Sequence, residues 1–176
     1  MGGRKMQKMT SAYANKMLKG LEEDKSFWVN KEETSSTYVV ANNEEPVVPE
    51  YDYVQVANTI AEFDEKITAI KHALNVANAA AKIMVGDIEM SADTILIRMA
   101  QLNKRKNVLD VMRKRLTKSR EEQRSYMSRN TVPEYRYINY DLELIRQEYE
   151  SVSKVIMEMQ MALDRYNQTV QFEVNM

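Results

Sequence analysis

Apolar side chains recur along this chain in alternating steps of three and four residues, over runs long enough that only helices can use them. From Ile60 the stripe continues through Phe63, Ile67, Ile70, Leu74, Ala77 and Ala81 to Met84, one continuous face of a long helix beginning near Tyr53. A cleaner stripe closes the chain. Leu142, Ile145, Tyr149, Val152, Ile156, Met159, Leu163 and Tyr166 keep the same rhythm for more than three heptads, the pattern of coiled-coil packing. Between the two, Ile95, Leu102, Leu109 and Leu116 stand seven apart, with Met99 and Met112 on the complementary seam and Lys106 interrupting it. The run Met6, Met9, Tyr13, Met17 and Leu21 predicts a shorter amphipathic helix at the N-terminus.

The breaks give the connectivity. Ser91, followed by Ala92, Asp93 and an apolar run, is a suitable N-cap after a turn at Gly86. The second and third helices are therefore expected to form an antiparallel hairpin. Pro133 closes the polar stretch Ser128 to Val132 and biases the residue before it away from helix, which predicts that the third helix ends near Arg124 to Met127. The chain then re-enters a helix near Tyr140. From about Ser26 to Glu50 the residues Thr34-Ser35-Ser36-Thr37, Asn42-Asn43 and Pro46 predict an irregular loop or short hairpin.

The expected fold is all-α, a single domain over 1–176 with that irregular insertion at about 26–50. Its architecture is an elongated antiparallel bundle of three long coiled-coil-like helices plus a shorter N-terminal one. Helices of about 25 to 30 residues are roughly 40 to 45 Å long, so such a bundle is slender. Slender bundles leave apolar surface uncovered, and symmetric self-association is the common remedy, so a homo-oligomer is expected.

Composition narrows the chemistry. The chain has no cysteine and one histidine, His72, which removes thiolate nucleophiles, zinc fingers, multi-histidine metal sites and any Ser-His triad not built on that residue. Four glycines leave no phosphate-cradling glycine loop. Asp87, Glu89 and Asp93 gather near Gly86, but their spacing is not that of an EF-hand, and the electrostatics of a helix N-terminus account for Asp93. No metal, no cofactor and no enzymatic activity are expected. A secretory signal and a run of 18 uncharged apolar residues are both missing from the sequence, so the expectation is a cytoplasmic protein without a membrane partner.

Charge is unevenly placed. The 25 Lys and Arg nearly balance 26 Asp and Glu, yet between Arg98 and Arg136 twelve basic residues face four acids, a local balance of +8. Such a stretch is either an anion site or a solvated helix face paired to acids across the bundle. Tyrosines interleave with guanidinium groups in Arg124-Ser125-Tyr126, followed by Arg129, and in Tyr135-Arg136-Tyr137, an arrangement that suits a flat, charged ligand. Asn75 and Asn78 lie three apart beside the apolar stripe, placed either to read a ligand's polar groups or to set helix register.

Leu74-Asn75-Val76-Ala77-Asn78-Ala79-Ala80, Ile97-Arg98 with Leu102, Arg124-Ser125-Tyr126 and Leu163-Asp164-Arg165-Tyr166-Asn167-Gln168-Thr169 together resemble a septicolysin-like family of small bacterial and phage helical proteins. Two features depart from that family's pattern: Gln168 stands where an aromatic is usual, and the segment from Ser26 to Glu50 is longer than a compact linker. The resemblance implies an all-α, antiparallel, oligomeric protein. It also carries Asn75, Asn78, Arg98, Arg124 and Tyr126, the polar residues already singled out near helix ends.

The leading expectation is a non-enzymatic helical oligomer that binds a small anionic, nucleotide-derived signalling molecule, sequestering it as some phage anti-defence proteins do. Its ligand residues would be Asn75, Asn78, Arg98, Arg105, Arg124, Tyr126, Arg129, Arg136 and Tyr137. The first alternative is a coiled-coil scaffold without ligand. The second, disfavoured by the net charge of −1, is a nucleic-acid binder using the basic 98–136 stretch.

Overall fold

The structure is a computed structural model that describes residues 6–121 and 132–175. Four helices dominate the described residues: α1 (Ser11–Ser35), α2 (Tyr53–Ala80), α3 (Ala92–Arg113) and α4 (Leu142–Thr169). Six short strands accompany them, β1 (Met6–Thr10), β2 (Ile83–Val85), β3 (Ile88–Met90), β4 (Lys118–Arg120), β5 (Tyr135–Tyr137) and β6 (Gln171–Asn175). They pair antiparallel as β1–β6, β2–β3 and β4–β5. The chain is thus mostly helical, with three two-stranded sheets that the all-α expectation did not contain.

The periodic stripes face the core within the helices, but the second is shorter than its spacing predicts: α2 ends at Ala80, and Met84, expected as its last stripe residue, lies on β2 and is exposed. On α4, Ile145, Met159, Leu163 and Tyr166 are buried, and on α2 Ile67 and Ile70 are. On α3, Ile95 and Leu109 are fully buried while Leu116, beyond the helix end, is 71 % exposed. Each helix starts on a polar residue. Thr10, Asp52 and Asp141 accept from amides of the first turn. Ser91 occupies the N-cap position of α3, but its hydroxyl bonds the Asp93 and Thr94 side chains and leaves the amides to Asp93.

The helices pair differently from the expectation. α1 packs along α2 and α3 along α4, giving two helical hairpins, and the α2–α3 contact is the lesser one. The expected α2–α3 helical hairpin is replaced by the small β2–β3 hairpin, whose two-residue loop places Gly86 at φ +57 in the left-handed region. The N-terminal helix is also not the short one. Residues 6–10 are strand, and α1 then runs 25 residues to Ser35. The segment 36–52 that follows contains no strand and is almost wholly exposed. α3 ends at Arg113, before the predicted Arg124 to Met127, because its last turn is tied off: Tyr140 Oη and the Arg115 amide both donate to the Met112 carbonyl. The chain then turns into β4.

The hydrophobic core sits where the two hairpins are rooted. One cluster joins Met9, Ala14, Leu18, Ile67, Ile70 and Val174, from β1, α1, α2 and β6. The other joins Ile83, Val85, Met90, Ile95, Met159 and Leu163, with Ala92 and Tyr166, from β2, β3, α3 and α4. Tyr166 links the two parts by donating to the Ala77 carbonyl of α2 at 3.1 Å. The β1–β6 ribbon clamps residues from the two ends of the chain over this root, with Met9 and Val174 pointing in. Beyond the root both hairpins extend as arms of about 25 Å, by the rise of an α-helix. Few apolar side chains are buried along them, Leu109 and Val56 among these.

Candidate functional site

The arms hold themselves together by surface pairs. Lys25 reaches Asp64 at 2.6 Å and Lys71 reaches Glu22 at 2.7 Å between α1 and α2. Between α3 and α4, Arg105 donates twice to Glu148, at 2.8 and 3.0 Å. Arg113 pairs with Asp110 at 2.6 Å and lies 4.0 Å from the Tyr149 ring centre, with Lys106 at 5.5 Å from the same ring. These exposed pairs fix geometry more than stability.

The apolar surface left over is considerable. The chain exposes 13,805 Å², whereas a compact monomer of 20.5 kDa exposes roughly 8,800 Å² by the usual scaling. The residues outside the described set supply at most about 2,700 Å² of that difference even when fully extended. Leu96, Ile97, Val108 and Val111 of α3 and Leu144, Met157 and Met161 of α4 are each about half exposed or more. Between these helices runs an open groove of about 730 Å³. Its apolar floor and wall are Met99, Ile156, Met157 and Met161, and Lys106, Glu150 and Lys154 stand among its lining.

The predicted ligand residues fall into separate places. Asn75 and Asn78 lie near the C-terminal end of α2, at the root; Asn75 is exposed, whereas Asn78 Oδ1 is buried with no hydrogen-bond partner among the described residues. Arg98, in the second turn of α3, meets only the Met90 sulfur at 3.8 Å and no carboxylate among the described residues. Arg105 stands mid-arm on Glu148. Arg136 and Tyr137 are at the far tip on β5, and from Arg98 to the end of α3 is about 22 Å of helix. One protomer therefore does not gather Asn75, Asn78, Arg98, Arg136 and Tyr137 around one ligand. Arg124, Tyr126 and Arg129 lie outside the described residues.

Among the described residues, Ser11 Oγ is the other buried side-chain oxygen without a partner, at the root beside Tyr166. Burial pushes the Tyr166 phenol up, and Ser11 lies near enough to oppose that shift without reaching hydrogen-bond geometry. His72 is exposed on α2. Among the described residues, no cluster of metal-ligating side chains is formed, and no helix is long and apolar enough to cross a membrane.

Sequence reasoning missed the β4–β5 hairpin. Its strands are three residues each, and the one periodic signal was the alternation Tyr135-Arg136-Tyr137. Glu121 accepts two bonds from the Arg136 guanidinium at 2.6 and 2.7 Å, which holds its carboxyl below the ordinary value of 4.5. Lys114 and then Arg113 likewise hold the Asp110 carboxyl below 3.8. A carboxyl depressed in the folded state contributes stability above its unfolded value, and that contribution is lost as pH falls through the depressed one. The hairpin is therefore expected to loosen only below pH 4.5. An NMR titration following Arg136 Nε–H should show no change from neutrality down to that value and loss of protection below it. Loss of protection near neutral pH would show that Glu121 does not hold the arginine.

A solved structure of a functionally unknown conserved protein from Corynebacterium diphtheriae is similar in fold. It has a TM-score of 0.64 at 15% sequence identity, covering 94% of this chain and 99% of that one. No family model and no curated protein matches the chain.

Proposed function

We propose that this protein is a non-catalytic, self-associating helical module of the cytoplasm, in which copies dock through the methionine-lined groove of the α3–α4 arm. The observation that carries the reading is the surface in excess of a compact monomer, about 2,300 Å² once the residues outside the described set are allowed for, together with the exposed apolar side chains along that arm. Stable interfaces bury about 1,200 to 2,000 Å², so the excess is ample for one. Methionine suits such a face because its unbranched side chain fills irregular gaps. The basic stretch is in part the solvated, paired face that charge runs usually are: Arg105, Arg113, Lys114 and Arg136 each rest on a carboxylate.

A second reading keeps the small anionic, nucleotide-derived ligand and places it at the root. What favours it is Arg98, without a carboxylate among the described residues, together with the unpartnered Asn78 Oδ1. An orphaned buried oxygen costs about 1 to 3 kcal/mol, a cost that a ligand donor would remove. Native mass spectrometry on protein purified from cells tests both readings. Self-association predicts a multiple of the 20.5 kDa chain mass. Added mass that survives gentle activation and disappears in Arg98→Ala would establish the ligand. An oligomer without added mass favours the module alone, and a monomer overturns the account.

A further inference from the structure

The β4–β5 hairpin segregates its charges by strand alternation. In register, Lys118 faces Tyr137, Ser119 faces Arg136 and Arg120 faces Tyr135. Successive strand residues point to opposite sides, so Lys118, Arg120, Tyr135 and Tyr137 share one face and Ser119 and Arg136 the other. The carboxylate that neutralises Arg136 lies on that second face: Glu121, one residue beyond Arg120, takes both guanidinium bonds. The first face carries two cations, two aromatic rings and no ion pair among the described residues. All four of its side chains are exposed, with Tyr135 at 46 % and Tyr137 at 62 %.

We propose that this face is a stacking platform for single-stranded nucleic acid, the tyrosines receiving bases and Lys118 and Arg120 receiving phosphates. The cations suit an anionic partner, and the flat rings beside them suit one with π-faces of its own. Tyr135 and Tyr137 are rooted roughly 6.6 Å apart on one strand, about twice the 3.4 Å between bases along a duplex strand. Bases in duplex register cannot both lie on these rings, whereas an unstacked strand can place one on each. Lys118 Nζ lies over the Tyr135 ring, 4.2 Å from its centre, and 5.5 Å from that of Tyr137, so a cation stands within reach of a phosphate beside a base on either ring.

The platform is fixed in place. Ile138 donates to the Thr117 carbonyl and Glu121 to the Glu134 carbonyl, which extends the ladder at both ends, and Tyr140 ties the base of the hairpin to α3. The chain's net charge of −1 gives no general attraction to nucleic acid, so binding is local to this face. The inference does not rest on self-association.

Fluorescence anisotropy with a labelled oligothymidylate of about twelve nucleotides tests it, in salt from about 50 to about 200 mM. The expected result is binding to the single strand at least about tenfold tighter than to a duplex of the same length. Tyr135→Ala with Tyr137→Ala should weaken it about tenfold or more, while Tyr135→Phe with Tyr137→Phe, which keeps the rings, restores it. Lys118→Gln with Arg120→Gln should reduce the slope of log affinity against log salt by about 1.4. Circular dichroism confirms that each variant keeps its helices. Absence of binding at the lowest salt overturns the proposal, as does equal binding of single strand and duplex that ignores the tyrosines. Tyrosine-dependent capture by phosphatidylcholine–phosphatidylserine vesicles without oligonucleotide binding would assign the face to a membrane surface and overturn it too.

Discussion

Replacing Met157 and Met161 together by lysine is expected to convert the assembled protein to a monomer without unfolding it. The two side chains stand one turn apart on α4, 57 % and 59 % exposed, so within one protomer they lose little when changed. In an interface they would bring two ammonium groups into apolar surroundings, a cost of several kcal/mol. Each 1.4 kcal/mol is tenfold in affinity, so association should weaken by about a hundredfold or more. Met157→Leu with Met161→Leu conserves volume and should leave the assembly intact. Size-exclusion chromatography with light scattering separates the outcomes, and an unchanged mass for the lysine pair would move the interface away from this groove.

Ile95→Ala is expected to be the more damaging of two substitutions placed two residues apart. Ile95 is fully buried in the root cluster, against β2, β3 and α4, and its truncation leaves a cavity among packed neighbours. Such changes cost about 2 to 5 kcal/mol, which for a chain of this length lowers Tm by roughly 5 to 20 °C. Ile97, on the opposite side of the helix and 58 % exposed, should change protomer stability little when made alanine. Thermal melts at several protein concentrations check the contrast, because Ile97 does not line the groove and its truncation should leave the melting temperature unchanged at every concentration. Equal, concentration-independent losses at both positions would mean that α3 does not present the face described.

The difference between Ile95 and Ile97 was legible in the sequence, since the seven-residue repeat of Ile95, Leu102 and Leu109 names the inward face. The α4 stripe and the Ser91 N-cap were equally plain, because each is set by residues within a few positions of one another. What the sequence concealed depends on distant partners. Met6 and Met9 fit the start of a helical stripe, and nothing local says that residues 6–10 will instead pair with 171–175 across the whole chain. The same holds at Arg113, where the heptads continue to Leu116 but Tyr140, on a later segment, fixes the end of α3. Thr34 and Ser35 suggest a loop within the irregular segment expected from about Ser26, yet α1 continues to Ser35 and Thr34 Oγ1 simply bonds back to the Asn30 carbonyl within the helix.

The candidate site was legible only in its residue types. The asparagines, Arg98 and the Tyr135-Arg136-Tyr137 alternation were visible, but their distribution between the root and the tip follows from which helices pair. The pairing of Arg105 and Arg136 with Glu148 and Glu121 brings together residues 43 and 15 positions apart. No spacing rule reaches that far. The apolar surplus on α3 and α4 was foreseeable from helix length, whereas the groove that Met157 and Met161 line was not.

Sedimentation equilibrium of the unmodified protein over a wide concentration range addresses the central claim most directly. The account predicts a mass that is a whole multiple of 20.5 kDa and that falls towards a single chain only on dilution. A mass of one chain at every concentration would contradict it.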